Sequence, residues 1–348
     1  MWDEDVLEYY RFNAELRREH LINFLRSDNP QVWERLRQEA DRVRREWVGD
    51  QVLIRGIIEF SNYCARNCHY CGINRHNLDV YRYRIPPEEI ISTAENAVKM
   101  GFKTIVLQSG EDFNYTGSML AEVVREIKKL DVAITLSVGE RSFEDYQMWR
   151  EAGADRYLLK FETSNAELYK RMHPGTGLTG RLAKLQELRE LGYQIGSGMM
   201  IGLPGQSIEI LANDIMLLKS LKLEMAGIGP FIPHPGTPLA GAENGSTDLT
   251  LRALALARLV VPWAHLPATT ALCSLNKDGR QVGLNSGANV VMPNLTPLKY
   301  RKFYEIYPQK AEVIDPPEKL YEDVKTLIRQ MGREVAAGYG HGLLSQQN

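Results

Sequence analysis

Short apolar runs rich in β-branched residues alternate with amphipathic helical stretches from residue 51 onward. The runs between, such as 86–101 and 118–130, carry apolar residues at helical spacing. Near-continuous apolar strands that alternate with helices are typical of parallel strands buried on both faces. Eight stretches have the character of strands: 52–61, 103–110, 132–139, 155–163, 193–204, 224–233, 266–272 and 288–293.

Eight βα units predict an α/β fold of the (β/α)8 TIM-barrel type, which takes about 250 residues. An open, doubly wound sheet is the alternative. Residues 1–49 are expected to form an N-terminal helical cap, since Leu7, Phe12 and Leu16 recur at helical spacing and Asn29 before Pro30 marks a helix start. The barrel is placed at 50–310 and a C-terminal helical segment and tail at 311–348, with the last residues expected to fray.

The composition excludes several classes of protein. The net charge of −2 and the 25% of charged residues indicate an ordinary globular chain with no preference for nucleic acid or an anionic membrane. No apolar run approaches the ~20 residues of a membrane span, and the first residues lack the apolar core of a signal peptide. We therefore expect a cytoplasmic protein with neither nucleic acid nor membrane as a partner.

Three of the four cysteines lie within eight residues, directly after the first strand, as Cys64-x3-Cys68-x2-Cys71. Barrel enzymes carry their chemistry at this end of the strands. Three thiolates on one loop can hold a [4Fe–4S] cluster and leave one iron open for catalysis. A zinc site is the alternative, although zinc usually takes a second cysteine pair. Cys273 is either a small apolar residue or a fourth ligand.

The same loop carries a family resemblance. The C-x3-C-x2-C spacing, with aromatic Tyr70 before the last cysteine, resembles the signature of the radical S-adenosylmethionine (SAM) superfamily. Residues 50–308 resemble its biotin synthase-like branch, and most closely the HydE-type [FeFe]-hydrogenase maturases. Matching stretches include TIVLQSGED, GADRYLLKFET and GIGPFIPHPGTPLA. The resemblance implies a cluster on the three cysteines that cleaves SAM to a 5′-deoxyadenosyl radical.

The resemblance also implies a set of SAM contacts. Arg181 can fork onto the SAM carboxylate and Glu162 can accept from its amine. The alternative for both is a structural ion pair. The positions that match the family's SAM site are Tyr70, Gln108, Thr135, Ser137, Glu162, Arg181, Met200 and Ile232.

A substrate site deeper in the barrel is implied in the same way. An unpaired buried arginine costs several kcal/mol, so Arg55 on the first strand favours an anionic ligand; an ion pair with a nearby Asp or Glu is the alternative. For Tyr304 and Tyr307 the alternative is packing of the C-terminal segment. The matching positions are Arg55, Lys160, Thr269, Thr270, Tyr304 and Tyr307.

Two departures from the family pattern stand out. Position 160 is Lys, where the family has Arg followed by His, and lysine lacks the bidentate fork of arginine. The chain has no cysteine after Cys273 and therefore cannot build the auxiliary cluster that some family members carry.

The predicted function is that of a radical SAM enzyme in assembly of the hydrogenase diiron subcluster. Its substrate would be a small molecule or an iron complex, and its partners other hydrogenase maturases and an electron donor. A methylornithine synthase-like or other small-molecule radical SAM mutase is the second candidate. A third is a cluster or iron carrier in which SAM cleavage is incidental.

Overall fold

A ring of parallel strands forms the centre of the molecule. The computed structural model describes residues 6–8, 10–11, 15–311 and 314–346. The first barrel strand runs in two parts on either side of Arg55, β1 and β2. The strands of the ring are β1 (Gln51–Ile54), β2 (Gly56–Ser61), β3 (Thr104–Ser109), β4 (Ala133–Ser137), β5 (Arg156–Leu158), β6 (Gln194–Ile201), β7 (Met225–Pro230) and β8 (Val290–Val291).

The ring is closed. Strands β2 to β7 pair in sequence order, all parallel. Beyond β7, Met225 bridges to His265, Pro267 bridges to Val290, and β8 pairs with β1. The extended segment 265–268 thus supplies the seventh of eight strands. Closure confirms the predicted (β/α)8 barrel over the open sheet.

The seventh strand ends earlier than the predicted range of 266–272. Thr269 is the N-cap of a short helix, and its side chain accepts a hydrogen bond from the backbone of Leu272. Two adjacent threonines suit a strand by propensity. Here the first hydroxyl satisfies a free amide at a helix start instead, which is the other common role of this residue type.

Helices surround the ring, and several begin with a capping side chain. Thr116, Ser142, Ser207 and Ser246 each accept a hydrogen bond from a backbone amide in the first turn. The helices of the wall are α3 (Pro87–Met100), α4 (Gly117–Lys128), α5 (Phe143–Glu151), α6 (Ala166–Met172), α7 (Leu178–Glu190), α8 (Ile208–Ser220), α9 (Thr247–Val260), α10 (Thr270–Leu275), α11 (Gly279–Leu284) and α12 (Leu298–Arg301).

Two helices precede the barrel, α1 (Arg18–Arg26) and α2 (Pro30–Val48). Asn29 caps α2 by accepting from the backbone of Gln31, with Pro30 at the first helical position, as its sequence predicts. At the outer wall of the barrel, α1 packs on α8 and α9, and α2 packs on α9. Leu7 is buried, whereas Phe12 lies outside the described residues.

The C-terminal segment closes the amino-terminal end of the barrel. Helix α13 (Pro317–Gln330) leads into β9 (Glu334–Val335), which pairs with β1. The Tyr339 carbonyl then accepts from Thr104 Oγ1 at 2.9 Å, and the His341 carbonyl contacts His265 Nε2 at 3.1 Å. The expectation of a frayed tail is wrong for residues 340–342. Within the described ranges, no helix combines the length and apolarity needed to cross a bilayer.

Candidate active site inside the barrel

A cavity of about 400 Å³ runs from the cysteine loop into the barrel. Its wall includes every side chain that the sequence predicted for the site. These are Arg55, Cys64, Cys68, Tyr70, Cys71, Gln108, Thr135, Ser137, Lys160, Glu162, Arg181, Met200, Ile232, Thr269, Thr270, Tyr304 and Tyr307. The structure thus brings the whole predicted set together, and the role of each residue remains a prediction.

The cysteine loop presents three free thiols to this cavity. It is fixed by backbone hydrogen bonds, from Cys71 N to Cys68 O at 3.3 Å and from Ala65 N to Glu111 O at 3.0 Å. Burial raises the pKa of Cys68 to about 12, so its thiolate needs a positively charged partner such as iron. In the part of the chain that the structure describes, no three His, Cys, Asp or Glu converge as for a single metal ion. Three thiols on one loop are the soft donors that a [4Fe–4S] cluster takes.

Tyr70, between the second and third cysteines, is held by a histidine. Its hydroxyl lies 2.8 Å from His173 Nε2, and the imidazole stacks on Tyr169 with ring centroids 4.2 Å apart. Burial lowers the pKa of His173 to about 3, with Arg181 adding to the effect. A neutral imidazole can accept the Tyr70 hydroxyl proton, which fixes the ring beside the cysteines.

The outer half of the cavity is the part nearest the cysteines. Its charged groups are paired. Lys160 Nζ lies 2.9 Å from Glu162 Oε2. Arg181 Nε lies 2.7 Å from Glu140 Oε1, and Arg181 Nη1 donates to the Lys160 carbonyl at 3.0 Å. Glu162 has φ of 62°, a left-handed conformation that a non-glycine residue adopts at some cost and often at functional sites.

Three buried polar atoms of the outer half lack a hydrogen bond of good geometry to any described group. They are Thr135 Oγ1, Glu162 Oε2 and Arg181 Nε, and the last two remain in ion-pair contact as given above. Buried polar atoms without hydrogen bonds are rare in native proteins. A ligand with an ammonium group and a carboxylate would satisfy them, so these residues fit SAM.

Sequence reasoning missed a second layer of charge above these residues. Arg66, on the cysteine loop, contacts both Glu111 and Glu140, the latter at 3.0 Å. The two glutamates follow the second and third strands, in LQSGED and SVGE, and that shared position was the available signal. Gly139 between them has φ of 76°, and a Cβ there would lie 1.9 Å from Glu111 Cγ. Only glycine allows this approach.

A buried ion pair on the cavity wall was also missed. Glu59 on β2 contacts Lys310, and both side chains are at least nine-tenths buried. Asn294 Nδ2 donates to Glu59 at 2.8 Å, and the Lys310 ammonium lies 4.9 Å from the centre of the Tyr304 ring. Glu59 and Lys310 are far apart in sequence, and no local pattern could have joined them.

The inner end of the cavity is formed by Arg55, Met225 and His265. Arg55 is 4% exposed and donates to Met225 Sδ at 2.8 Å and to the Gly340 carbonyl at 3.1 Å, while its Nε has no hydrogen-bond partner among described groups. Burial lowers the pKa of Arg55, and the charge of nearby Arg156 lowers it further. The alternative of an ion pair with an Asp or Glu is not found among the described residues.

The predicted threonines and tyrosines line the same cavity. Thr269 caps α10 and Thr270 begins it, so both side chains stand at the cavity wall by the start of that helix. Gln108 Nε2 contacts the Tyr304 hydroxyl at 3.4 Å. Burial raises the pKa of Tyr304, which keeps its hydroxyl a proton donor.

Cys273 lies apart from the other cysteines. It lines a separate pocket of about 220 Å³ with Arg280 and Leu327. Burial raises the pKa of its thiol. The position favours a small buried side chain over a fourth ligand.

Comparison with known proteins decides the family. The radical SAM superfamily matches residues 58–218. The [FeFe] hydrogenase maturase subunit HydE of Thermotoga maritima is 47% identical over 97% of this chain and 95% of its own length. The chain belongs to the HydE family of radical SAM enzymes. A 3-methylornithine synthase of Methanosarcina acetivorans is 30% identical over 96% of this chain and 93% of its own.

Solved structures agree on the architecture. The crystal structure of methylornithine synthase (PylB) superposes with a TM-score of 0.82 at 26% identity, covering 96% of this chain and 97% of that one. Membership of the radical SAM family implies a [4Fe–4S] cluster and SAM as cofactors. The three cysteines and the unsatisfied atoms of the outer half are the residues that fit them.

Proposed function

We propose that this enzyme performs a radical SAM step in assembly of the [FeFe]-hydrogenase diiron subcluster, on a small anionic substrate or iron complex held at the inner end. The observation that carries the proposal is Arg55, a buried guanidinium whose contacts are a thioether and a carbonyl. Such a charge is costly unless a ligand compensates it. The 47% identity with a HydE maturase supports the assignment.

The chain's own residues position and enclose the reactants. Cys64, Cys68 and Cys71 would hold the cluster, which together with bound SAM would supply the 5′-deoxyadenosyl radical. Glu162 and Arg181 orient SAM through its amine and carboxylate. Met200 and Ile232 supply apolar cover for the adenosyl group. The barrel wall excludes water, which strengthens every charged contact in the cavity.

The inner end would hold the substrate in line with the site of SAM cleavage. Arg55 supplies a positive charge, and Thr269 and Thr270 can add short hydroxyl donors. Tyr304, kept protonated by burial, is a further donor in the same cavity. These groups suit a small carboxylate, or a cyanide-bearing iron complex. A partner maturase that hands over the substrate and an external electron donor belong to the same proposal.

A methylornithine synthase-like mutase is the second candidate. It is favoured by the 30% identity with the archaeal 3-methylornithine synthase over almost the whole chain. An amino acid substrate also carries a carboxylate that Arg55 could bind. The higher identity with HydE places the maturase first.

A deletion and complementation experiment tests the proposal. Deleting the gene should abolish [FeFe]-hydrogenase activity in the source organism, and the parent gene should restore it. Arg55→Met should fail to restore it, whereas Cys273→Ala, whose side chain lines the separate pocket, should succeed. A deletion strain with full hydrogenase activity, or a genome that encodes no such hydrogenase, would refute the maturase role. Lysine rearrangement by the purified enzyme would then support the mutase.

A further inference from the structure

Arg82 follows the cysteine loop and folds back onto it. Its guanidinium donates four hydrogen bonds, and every acceptor is a backbone carbonyl. The three bonds to residues after Cys71 measure 2.7–3.1 Å. One acceptor precedes Cys64 and three follow Cys71, so a single side chain ties both flanks of the loop. The four carbonyls are those of Asn62, Ile73, Asn74 and Asn77.

The segment that Arg82 holds is itself ordered by asparagine side chains. Asn74 Nδ2 donates to the Cys71 carbonyl at 2.7 Å, and Asn77 Nδ2 donates to the Gly72 carbonyl at 2.7 Å. These bonds bend the chain so that successive carbonyls face the guanidinium. The hydrogen bonds of Arg82 therefore belong to an ordered network that begins at Cys71.

The charge of Arg82 differs from the charges of Arg66 and Arg84, the two other partly buried arginines around the loop. Arg66 is paired with Glu111 and Glu140, and Arg84 holds Asp112 through two nitrogens, at 2.6 and 2.9 Å. Among the residues described, Arg82 contacts no carboxylate. Its positive charge is therefore offset only by carbonyl dipoles.

Arg82 contacts a carbonyl two residues before Cys64 and another two residues after Cys71, so its charge lies beside the loop that carries the thiols. Burial lowers the pKa of Arg82, and the Cys64 and Cys71 sulfurs act in the opposite direction. A guanidinium and thiolates that influence each other across a partly buried region interact more strongly than in water. A neighbouring charge and the hydrogen bonds around the ligands are two of the levers by which a protein sets the potential of an iron–sulfur cluster.

We propose that Arg82 is a positioning residue that holds the cysteine loop in its cluster-binding form and, through its uncompensated charge, makes the bound cluster easier to reduce. Reduction adds an electron to the cluster, and a fixed positive charge nearby favours that step. The proposal concerns the cluster alone and is independent of the substrate. Its test and that of the maturase role can therefore fail separately.

The test uses the full chain with its cluster reconstituted anaerobically, without SAM. Arg82→Gln removes the charge and keeps an amide donor, and Arg82→Lys keeps the charge without the planar fork. The matched control is Arg75→Gln, an exposed arginine of the same loop that bonds only to His76, at 3.2 Å. Iron content and the cluster midpoint potential, followed by electron paramagnetic resonance during a redox titration, are the readouts.

In Arg82→Gln the equilibrium constant for one-electron reduction should fall at least tenfold, which is a potential about 59 mV more negative. Arg82→Lys and Arg75→Gln should stay within threefold of the parent. A parent-like potential in Arg82→Gln overturns the proposal. If Arg82→Gln binds no iron, Arg82→Lys decides: parent-like loading supports the requirement for charge, and failure of both variants reduces Arg82 to a structural clamp.

Discussion

The outer half and the inner end of the cavity differ in whether their charged side chains are paired with opposite charges. Around the cysteines, Arg181 meets Glu140 and Lys160 meets Glu162. At the inner end, the described contacts of Arg55 are a thioether and a carbonyl, and the charge of Arg156 acts on it. Pairs of opposite charge are suited to a ligand that carries both signs, as SAM does. A cationic end without a carboxylate is suited to an anion.

The two regions differ in the free energy that binding and folding require. The paired groups are already held in place, so binding SAM requires little reorganisation. The unpaired Arg55 costs folding free energy while no anion is bound, and that cost is tolerated where function requires it. The account therefore predicts that changes in the two regions have separate consequences.

The largest effect is expected at the cysteine loop. Cys64→Ser, Cys68→Ser and Cys71→Ser each remove one of three thiolate ligands, so each should abolish cluster binding and SAM cleavage. Iron per chain and the formation of 5′-deoxyadenosine measure the loss. Cys273→Ala serves as the control and should retain both. Loss of the cluster in that variant would show that the fourth cysteine had been misassigned.

A smaller effect is expected at Arg55, where a substitution should stabilise the fold. Arg55→Met removes a buried charge that has no carboxylate partner and should raise the free energy of unfolding by about 1–3 kcal/mol. Arg258→Met is the control, because that buried guanidinium donates to three carbonyls and to Asn289 Oδ1. It should lose stability, since several buried acceptors are left without donors.

Denaturant unfolding of the metal-free chains compares the two variants. If Arg55→Met and Arg258→Met were destabilised alike, Arg55 would be an ordinary structural arginine. The contrast between the two parts of the cavity would then disappear.

The smallest effect concerns the histidine of the inner end. His265 Nδ1 faces the Asn289 amide at 2.9 Å and its Nε2 faces the His341 carbonyl, so a neutral imidazole satisfies both. Burial lowers the pKa of His265 to about 3. A folded-state pKa below the unfolded value means that stability is complete above about pH 6.5 and falls as the pH drops toward 3.

At pH 5.5 this one group should cost about 1.4 kcal/mol relative to neutral pH. Unfolding free energies of the parent and of His265→Gln at pH 7.5 and 5.5 isolate its share, because other titrating groups are common to both chains. An identical pH dependence in the two proteins would mean that His265 is not buried as a neutral group.

The barrel itself could be predicted, because each strand is a short apolar run whose burial can be inferred from its own residues. The site was predictable where functional residues stand at strand ends, as Gln108 and Glu162 do. Thr269 was placed in a strand because its β-branched shape suits one, and only the fold shows its hydroxyl capping a helix. The tail GHGLLSQQN was expected to fray, yet the Gly340 and His341 carbonyls meet Arg55 and His265, which are buried side chains of the barrel.

Long-range pairs lay beyond the sequence. Glu59 and Lys310 meet because the chain returns over the barrel after its eighth strand. Arg66 reaches two glutamates that follow different strands. Such contacts depend on closure of the ring, and no periodic pattern in the sequence indicates them.

The central claim, that the two parts of the cavity bind different ligands, is tested most directly by a crossed titration. Calorimetry measures SAM and formate binding to the reconstituted parent, Arg55→Met and Glu162→Gln. We expect Glu162→Gln to bind SAM about ten- to a hundredfold more weakly, as loss of a charge-assisted hydrogen bond of roughly 1.5–3 kcal/mol requires, with formate binding unchanged. Arg55→Met should lose formate and keep SAM. Loss of both ligands in either variant, or parent-like formate binding in Arg55→Met, would contradict the account.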